Sequence, residues 1–187
     1  MKHLLTIILL ALTCATLHAQ SVIVQGSGQS SVRGVGANVK GHIIPATHTN
    51  YSDGQFTVWN TNQEVAVDND SGFIWVRNAG AAGGKVWTNA TIYCSNLVYA
   101  NYDDWRLPSV TNDGGSGDWK TLVDTNQANP ALPSGHPFTN VPLGNYWWSS
   151  VELVADPDDA WNIYLSTGIE GFGSKTETFH VWPVRGP

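Results

Sequence analysis

The acidic residues between Glu152 and Asp159 are the first candidates for chemistry. Asp156, Asp158 and Asp159 stand close together, and carboxylate oxygens are the ligands that calcium prefers in proteins. Neither this segment nor residues 68–72 has the spacing of a twelve-residue calcium loop that ends in Glu. We therefore interpret the segment as a solvated acidic loop, with a calcium site at the three aspartates as the alternative.

A second candidate is Asp104–Pro108, where a carboxylate lies two residues before a guanidinium and could form an acid–base pair. A structural role explains these residues better. Trp105 and Leu107 alternate toward a core, and Arg106 has five N–H donors that can hold backbone carbonyls or a carboxylate. Arg185 is interpreted in the same way, as a clasp that closes the termini. The expected structural anchors are Trp75, Trp105, Arg106, Pro108, Trp161 and Arg185.

The histidine and cysteine residues lack the partners that catalysis needs. No metal-binding spacing such as His-x-x-x-His and no Gly-x-Ser-x-Gly motif accompanies the histidines His42, His48, His136 and His180. Cys94 follows a helical apolar spacing, and no cationic residue lies beside it in sequence to lower its thiol pKa. We therefore expect Cys94 to be a core residue and the protein not to be an enzyme.

An aromatic run, Tyr146–Ser150, provides a candidate for binding. Its consecutive residues Trp147 and Trp148 must point to opposite faces of a strand, so both cannot enter the same core. We expect one of them to be exposed, where it could stack on a sugar ring or pack against a second subunit. The candidate ligand-binding residues are Trp147, Trp148 and Tyr164.

Residues 1–19 have the pattern of a secretory signal peptide, with a basic start, an apolar run too short to cross a bilayer, and Ala19 at the cleavage point. Cys14 allows a lipoprotein interpretation, but residues 11–13 lack the usual order of one large apolar and two small residues. We expect export to the periplasm, the cell surface or the medium. No later run of about 18 apolar residues would embed the chain in a membrane.

Composition limits the partners. Fifteen acidic residues against nine Lys and Arg give a formal charge of −6, and the basic residues form no run. Such a chain repels nucleic acid and anionic lipid, so we expect no nucleic-acid partner. Removal of a leader that contains Cys14 leaves one cysteine, so aromatic residues and not disulfides must stabilise the core, and the chain has nine Trp, six Tyr and five Phe.

The chain divides into the signal peptide, a Gly/Ser/Asn-rich lead-in over residues 20–55 with one or two short strands, and a domain over residues 56–187. Short β-favouring runs bounded by turn residues predict antiparallel strands in the domain. A helix is predicted from Trp87 to Leu97 with Thr88 as its N-cap, and Asp118 is predicted to cap a shorter one. The expected fold class is α+β, with two central helices, short antiparallel sheets, and N- and C-terminal strands brought together.

Six motifs occur in order along the chain: Asp70–Trp75, Trp87–Cys94, Asp104–Pro108, Tyr146–Ser150, Ala160–Trp161 and Val181–Gly186. With them, the stretch from about Phe56 to Gly186 resembles the Lcl C-terminal domain family, a domain of unknown function named for a collagen-like bacterial adhesin. The resemblance implies a C-type-lectin-like fold, related also to the formylglycine-generating enzymes. Residues 109–117 depart from it as an inserted loop. The lectin triplets that bind sugar are missing, and Trp161-Asn162-Ile163 lacks the usual Asp.

Two functions follow as expectations. The first is a non-catalytic, exported recognition module for a glycan or another surface polymer, because the resemblance leads to an adhesin whose terminal domain is linked to sulfated polysaccharide. The acidic charge argues against that particular ligand. The alternative is a structural, self-associating surface protein, a homo-oligomer with no small ligand. No cofactor is expected, apart from the calcium alternative, and the formylglycine-type oxidase chemistry would need a second cysteine.

Overall fold

The structure is a computed structural model, and it describes residues 38–39, 42–43, 48–51, 54–59, 64–110 and 117–187. The signal peptide, most of the lead-in and the centre of the expected inserted loop lie outside the described residues. In chain order the strands are β1 (Asn38–Val39), β2 (His42–Ile43), β3 (His48–Tyr51), β4 (Phe56–Trp59), β5 (Val65–Asp68), β6 (Ile74–Val76), β7 (Gly84–Lys85), β8 (Tyr146–Glu152), β9 (Asp159–Tyr164), β10 (Ile169–Ser174), β11 (Phe179–His180) and β12 (Val184–Arg185).

Helical structure is limited. The α-helices are α1 (Trp87–Ser95) and α2 (Asp118–Leu122), with a short 3-10 helix over Ala79–Ala82. The predicted mixture of helices and antiparallel strands is confirmed, but strands dominate it. None of the helices in the described part of the chain has the length and apolar character needed to span a bilayer.

Two five-stranded sheets form the framework, beside a small β1–β2 ribbon. The first sheet has the order β12-β6-β5-β4-β3 and is antiparallel throughout. The second has the order β10-β9-β8-β11-β7, with β11 parallel to β8 and every other pair antiparallel. Strands β3 and β12 therefore lie in the same sheet, at its two opposite edges. The N- and C-terminal strands come together in one sheet as expected, but they do not pair with each other.

The main core is built from tryptophans contributed by both sheets and by α2. Trp75, Trp119, Trp147 and Trp182 are all fully buried. Their ring centroids are 5.5 Å apart for Trp75 and Trp119, 5.6 Å for Trp75 and Trp182, and 5.4 Å for Trp147 and Trp182. Most of these rings meet edge to face or tilted, the arrangements that the aromatic quadrupole favours. The core of this disulfide-free domain therefore depends on these tryptophan contacts.

A second, smaller core lies between α1 and the outer side of the second sheet. It contains Ala90 and Cys94 from α1 together with Leu107, Trp148, Ala160 and Val181. Trp147 belongs to the main core and Trp148 to this one. The two tryptophans do point to opposite faces, but the expectation that one is exposed is wrong, because each face has a core of its own.

Neither predicted N-cap is correct, and α1 ends at Ser95, two residues before the predicted Leu97. Helix α1 begins at Trp87, one residue before the predicted cap Thr88, and Val86 precedes it without a side-chain cap. In α2 the predicted cap Asp118 is the first helical residue. Its carboxylate instead accepts the Ser109 N–H at 2.9 Å and pairs with Arg106, so a tertiary contact takes the place of capping.

The expected anchors make contacts across the fold. Arg106 Nη2 lies 3.3 Å from Asp118 Oδ1 and donates to the Gly186 carbonyl at 3.1 Å. Arg185 makes a bidentate pair with Asp104, at 2.6 and 2.9 Å, and its guanidinium lies 3.7 Å from the centre of the Tyr102 ring. Asp104 is thus paired with Arg185 and not with Arg106. The anchors Trp75, Trp105 and Pro108 are buried, and Trp161 is partly buried.

Candidate functional site

A shallow groove of about 490 Å³ lies on the second sheet, over strands β8 to β11. It is lined by aromatic residues from four strands and by polar residues between and beside them. The aromatic residues are Tyr146, Tyr164, Phe172 and Phe179. The polar residues are Asn162, Thr167, Glu170 and Glu177, and Ile169 and Gly171 complete the lining.

The pairing of the strands explains why the groove exists. Tyr146 lies opposite Tyr164, and Tyr164 lies opposite Ile169, so these three residues are neighbours on one face of the sheet. Two positions along, Trp148, Asn162 and Gly171 repeat the pattern. Helix α1 covers the Trp148 part of this face and leaves the Tyr146 part open.

The aromatic side chains form a continuous surface. The Tyr146 ring lies 5.0 Å from the Tyr164 ring and 5.2 Å from the Phe179 ring, with interplanar angles of 43° and 38°. Phe179 in turn packs on Trp148 at 4.4 Å, which holds it from the buried side. Tyr146 is 45% exposed. Phe172 lies outside this continuous surface, because its ring packs on Trp161 at 6.0 Å. This arrangement offers ring faces to a ligand from solvent.

A buried amide lies beside this surface. Asn162 is 1% exposed, and its Oδ1 accepts no hydrogen bond within the described structure. The Gly171 position lies against it, since a Cβ built there would be 3.3 Å from Oδ1. A buried polar atom without a partner costs on the order of 1–3 kcal/mol, so most such atoms in proteins have a partner. Among the described lining residues, Asn162 Oδ1 is therefore a buried acceptor that still needs a hydrogen-bond donor.

The groove is acidic. Glu170 and Glu177 line it, and no Lys, Arg or His is found among the described residues that do so. Glu177 Oε2 lies 2.8 Å, and the Phe179 ring 3.2 Å, from the position that a Cβ on Gly173 would take. The missing side chain of Gly173 therefore lets a carboxylate lie next to the aromatic surface.

The predicted ligand-binding residues separate in the structure. Tyr164 lines the groove, whereas Trp147 and Trp148 are fully buried and cannot meet a ligand there. Trp148 contributes indirectly, because it supports Phe179 from below. The remaining aromatic residues of the groove were not identified from sequence. Tyr146 could have been found, since it is two residues from Trp148 on the same strand, but Phe179 comes from a distant segment whose pairing the sequence does not reveal.

The acidic loop between β8 and β9 does not gather its carboxylates. The Asp156 carboxylate accepts the Asp158 N–H at 3.1 Å, and the Asp159 carbonyl accepts the Leu153 N–H at 3.1 Å. Lys175 pairs with Glu152 at 3.0 Å. Across the residues that the structure describes, no three His, Cys, Asp or Glu side chains are grouped so as to hold a metal ion. The calcium alternative at Asp156, Asp158 and Asp159 therefore has no geometric support.

The thiol and the two histidines whose pKa is shifted lie away from the groove. Cys94 is buried as predicted, and burial raises its thiol pKa to about 12, although Lys85 acts in the opposite direction. Burial lowers the imidazole pKa of His136 and of His180. His136 stacks on Phe138 at 5.7 Å and His180 on Trp147 at 5.0 Å. These groups serve as packing residues.

Comparison with known proteins identifies the family. No curated protein and no solved structure was found to match the chain. The model of the Lcl C-terminal domain, a domain of unknown function, matches residues 64–185. The matched region includes both helices and all the residues that line the groove. On this match, the chain belongs to the Lcl C-terminal domain family.

Proposed function

We propose that the protein is an exported, non-catalytic recognition module that binds carbohydrate in the groove over β8 to β11. The observation that carries the proposal is an open aromatic surface, Tyr146, Tyr164 and Phe179, beside the unpartnered buried oxygen of Asn162. Export is supported by the signal-peptide pattern of residues 1–19.

The groove matches the two kinds of surface that a sugar presents. A pyranose ring has an apolar face of C–H groups, which packs on an aromatic ring, and a rim of hydroxyl groups. Each hydroxyl is a donor, so one of them would supply the hydrogen bond that Asn162 Oδ1 lacks. Carboxylates such as Glu177 accept further hydroxyl donors. A shallow, open site suits a section of a chain more than a small molecule, which needs an enclosing pocket.

A non-catalytic role is supported by where the reactive groups lie. Cys94 is buried, His136 and His180 are half-buried against aromatic rings, and none of the three lines the groove. The carboxylates Glu170 and Glu177 are the groups that a hydrolase could use. The binding experiment therefore includes analysis of the recovered oligosaccharide, and shortened products would replace this proposal with a glycosidase.

We further propose that the arrangement of two helices with two sheets is a strand-rich variant of the C-type-lectin-like fold. The resemblance of the six motifs supports it, as does the pairing of β12 with β6, which returns the end of the chain to a sheet built from its early strands. An experimental structure of the protein, superposed on lectin domains, tests this directly. Failure of β6, β12 and the second sheet to superpose together would exclude it.

The test of function is a glycan array followed by calorimetry on the purified protein. Tyr146→Ala removes the centre of the aromatic surface and should weaken binding at least about tenfold, or roughly 1.4 kcal/mol. Val154→Ala is the matched control, because Val154 is 89% exposed and does not line the groove. A silent array, or equal loss of binding in both variants, would contradict the proposal.

Self-association through the edge of the second sheet is the second candidate function. Strand β10 is an edge strand, and its residues Ile169 and Phe172 are 65% and 59% exposed. An exposed edge with large apolar side chains is a template for pairing with another strand. Light scattering tests this, with Ile169→Lys as the variant. A stable oligomer that dissociates in this variant would support a structural role, and a monomer at every concentration would exclude it.

A further inference from the structure

We infer that the groove selects glycans that carry protonated amines, meaning chains of 2-amino-2-deoxy-hexose, over neutral or sulfated glycans. The inference rests on the proposed carbohydrate binding and names its substrate class. It depends on three observations: the position of the Glu177 carboxylate, the absence of cationic residues from the described lining, and the unpartnered buried oxygen of Asn162.

The carboxylate of Glu177 lies where a group on the rim of a stacked sugar would reach it. Its Oε2 and the edge of the Phe179 ring converge on the space above Gly173, at 2.8 and 3.2 Å from the same point. A sugar stacked on the aromatic surface would therefore direct rim substituents toward the carboxylate. An ammonium group there gains a charge-assisted hydrogen bond, which is roughly twice as strong as a neutral one.

The negative charge of the groove disfavours anionic sugars. Glu170 also lines it, and the chain has a formal charge of −6. A sulfate or carboxylate on a sugar would meet the Glu177 carboxylate and, among the described lining residues, no Lys, Arg or His to pair with. Anionic glycans should therefore bind more weakly than neutral ones.

The buried amide of Asn162 explains why the groove would bind an amino sugar more tightly than a simple cation. Asn162 is 1% exposed and its Oδ1 needs a donor, which a hydroxyl beside the amine can supply. The aromatic rings, by contrast, do not form a cage for an alkylated ammonium ion. Tyr146 touches Tyr164 and Phe179 at centroid distances of 5.0 and 5.2 Å, which leaves no space for a cation between the rings.

The experiment is calorimetric titration of the protein with four oligosaccharides of equal length at low ionic strength. These are a β-1,4-linked glucosamine oligomer, its N-acetylated form, the corresponding glucose oligomer and a sulfated heparin fragment. We expect the glucosamine oligomer to bind at least about tenfold more tightly than the two neutral oligomers. Added salt should weaken that binding selectively, because screening acts on the charge contribution.

Each result separates the inference from the function on which it rests. Equal or tighter binding of a neutral oligomer overturns the amine selectivity and leaves carbohydrate binding standing. Tighter binding of the heparin fragment overturns it as well and reverses the charge argument. Binding of none of the four overturns both. An oligolysine of the same charge is the last probe. If this peptide bound the groove as tightly as the glucosamine oligomer, the groove would recognise positive charge alone, which contradicts an amino-sugar site.

Two variants locate the effect. Glu177→Gln keeps the shape of the side chain and removes its charge, so the glucosamine oligomer should lose its advantage in affinity over the glucose oligomer. Asp103→Asn is the matched control, since it removes one exposed carboxylate that does not line the groove. Equal losses in these two variants would mean that net charge and not the groove governs binding. Gly171→Ala, which adds a methyl group 3.3 Å from Asn162 Oδ1, should weaken both oligomers.

Discussion

Trp147 and Trp148 are neighbours in the chain, yet their rings lie in two separate cores on opposite sides of β8. Trp147 contacts Trp182 at 5.4 Å and Trp119 at 6.4 Å in the main core. Trp148 lies under Phe179 at 4.4 Å and donates from its Nε1 to the Lys85 carbonyl at 2.7 Å. Strand β8 is therefore covered on both faces, and both tryptophans contribute to stability.

Replacing either tryptophan by alanine should destabilise the protein by about 3–5 kcal/mol, the cost of removing a large aromatic side chain from a packed core. Tyr146→Ala, on the same strand but 45% exposed, should cost much less and serves as the control. Denaturant unfolding followed by far-ultraviolet circular dichroism measures all three. Wild-type stability in Trp147→Ala or Trp148→Ala would show that the corresponding core is not a packed one.

Removing Arg106 should lower the stability of the protein more than removing the carboxylate of Asp118, its ion-pair partner. Asp118 has a side chain only 6% exposed, whereas Arg106 has one 42% exposed. Loss of Arg106 leaves a buried carboxylate without its cation, and we expect Arg106→Leu to cost about 3 kcal/mol. Loss of the carboxylate in Asp118→Asn leaves a cation that water can reach, so the cost should be smaller. Thermal unfolding of both variants measures this, and the reverse order would contradict the assignment.

The aromatic and apolar runs were sufficient to predict most of the strands. Strands β4, β6 and β8 lie within one or two residues of the runs that predicted them, because buried β-branched and aromatic residues between turn residues have few other arrangements. The helix caps were predicted wrongly at Thr88 and Asp118. Capping is a local signal, and at Asp118 the tertiary contact with Arg106, twelve residues away, replaces it.

The pairing of Asp104 with Arg185 should make a small part of the stability depend on pH. The hydrogen bonds from Arg185 hold the pKa of the Asp104 carboxyl below its ordinary value of 3.8. A lowered folded-state pKa adds stability that is present above about pH 4 and is lost as the pH falls through the folded value. Because Asp104 is 55% exposed, Asp104→Asn should cost less than about 1 kcal/mol at neutral pH.

The same substitution should flatten the acid limb of the stability curve. Denaturant unfolding between pH 2 and pH 7, roughly the range in which a carboxyl titrates, measures the difference between wild type and variant. That difference should shrink toward zero at the acid end. A difference that stays constant with pH would show that the variant does not act through the ion pair.

The thiol of Cys94 should be inert in the folded protein. Burial raises its pKa to about 12, and the reactive species is the thiolate. A thiol-specific disulfide reagent at about pH 8 should therefore label the folded protein very slowly and the denaturant-unfolded protein completely and fast. Rapid labelling of the native protein would place Cys94 at a surface.

Gly168 should not tolerate a side chain. It occupies the turn of the β9–β10 hairpin with φ of +75°, and a Cβ there would lie 2.5 Å from Val123 Cγ1. We expect Gly168→Ala to destabilise the protein by about 1–3 kcal/mol, through backbone strain and this overlap together. Gly144→Ala is the control, because Gly144 has φ of +69° but open space around its Cβ position. Equal melting temperatures of the two variants would show that the overlap is relieved without cost.

The groove could be predicted from sequence only in part. Along β9, alternation places Asn162 and Tyr164 on one face and Ile163 on the other. Asn162 and Tyr164 both line the groove. Phe179 and Glu177 belong to a segment that reaches the groove only through the parallel pairing of β11 with β8. A single sequence contains no signal for such a pairing, which depends on the whole sheet.

The position of Trp182 has a consequence for how the molecule folds. Its Nε1 donates to the Val76 carbonyl at 2.7 Å, a hydrogen bond between residues 106 positions apart, and its ring touches Trp75 and Trp119. The main core is therefore closed by contacts of very large sequence separation. Loop-closure entropy must be overcome before those contacts form, so we expect folding in milliseconds to seconds, at the slow end of the range for single domains.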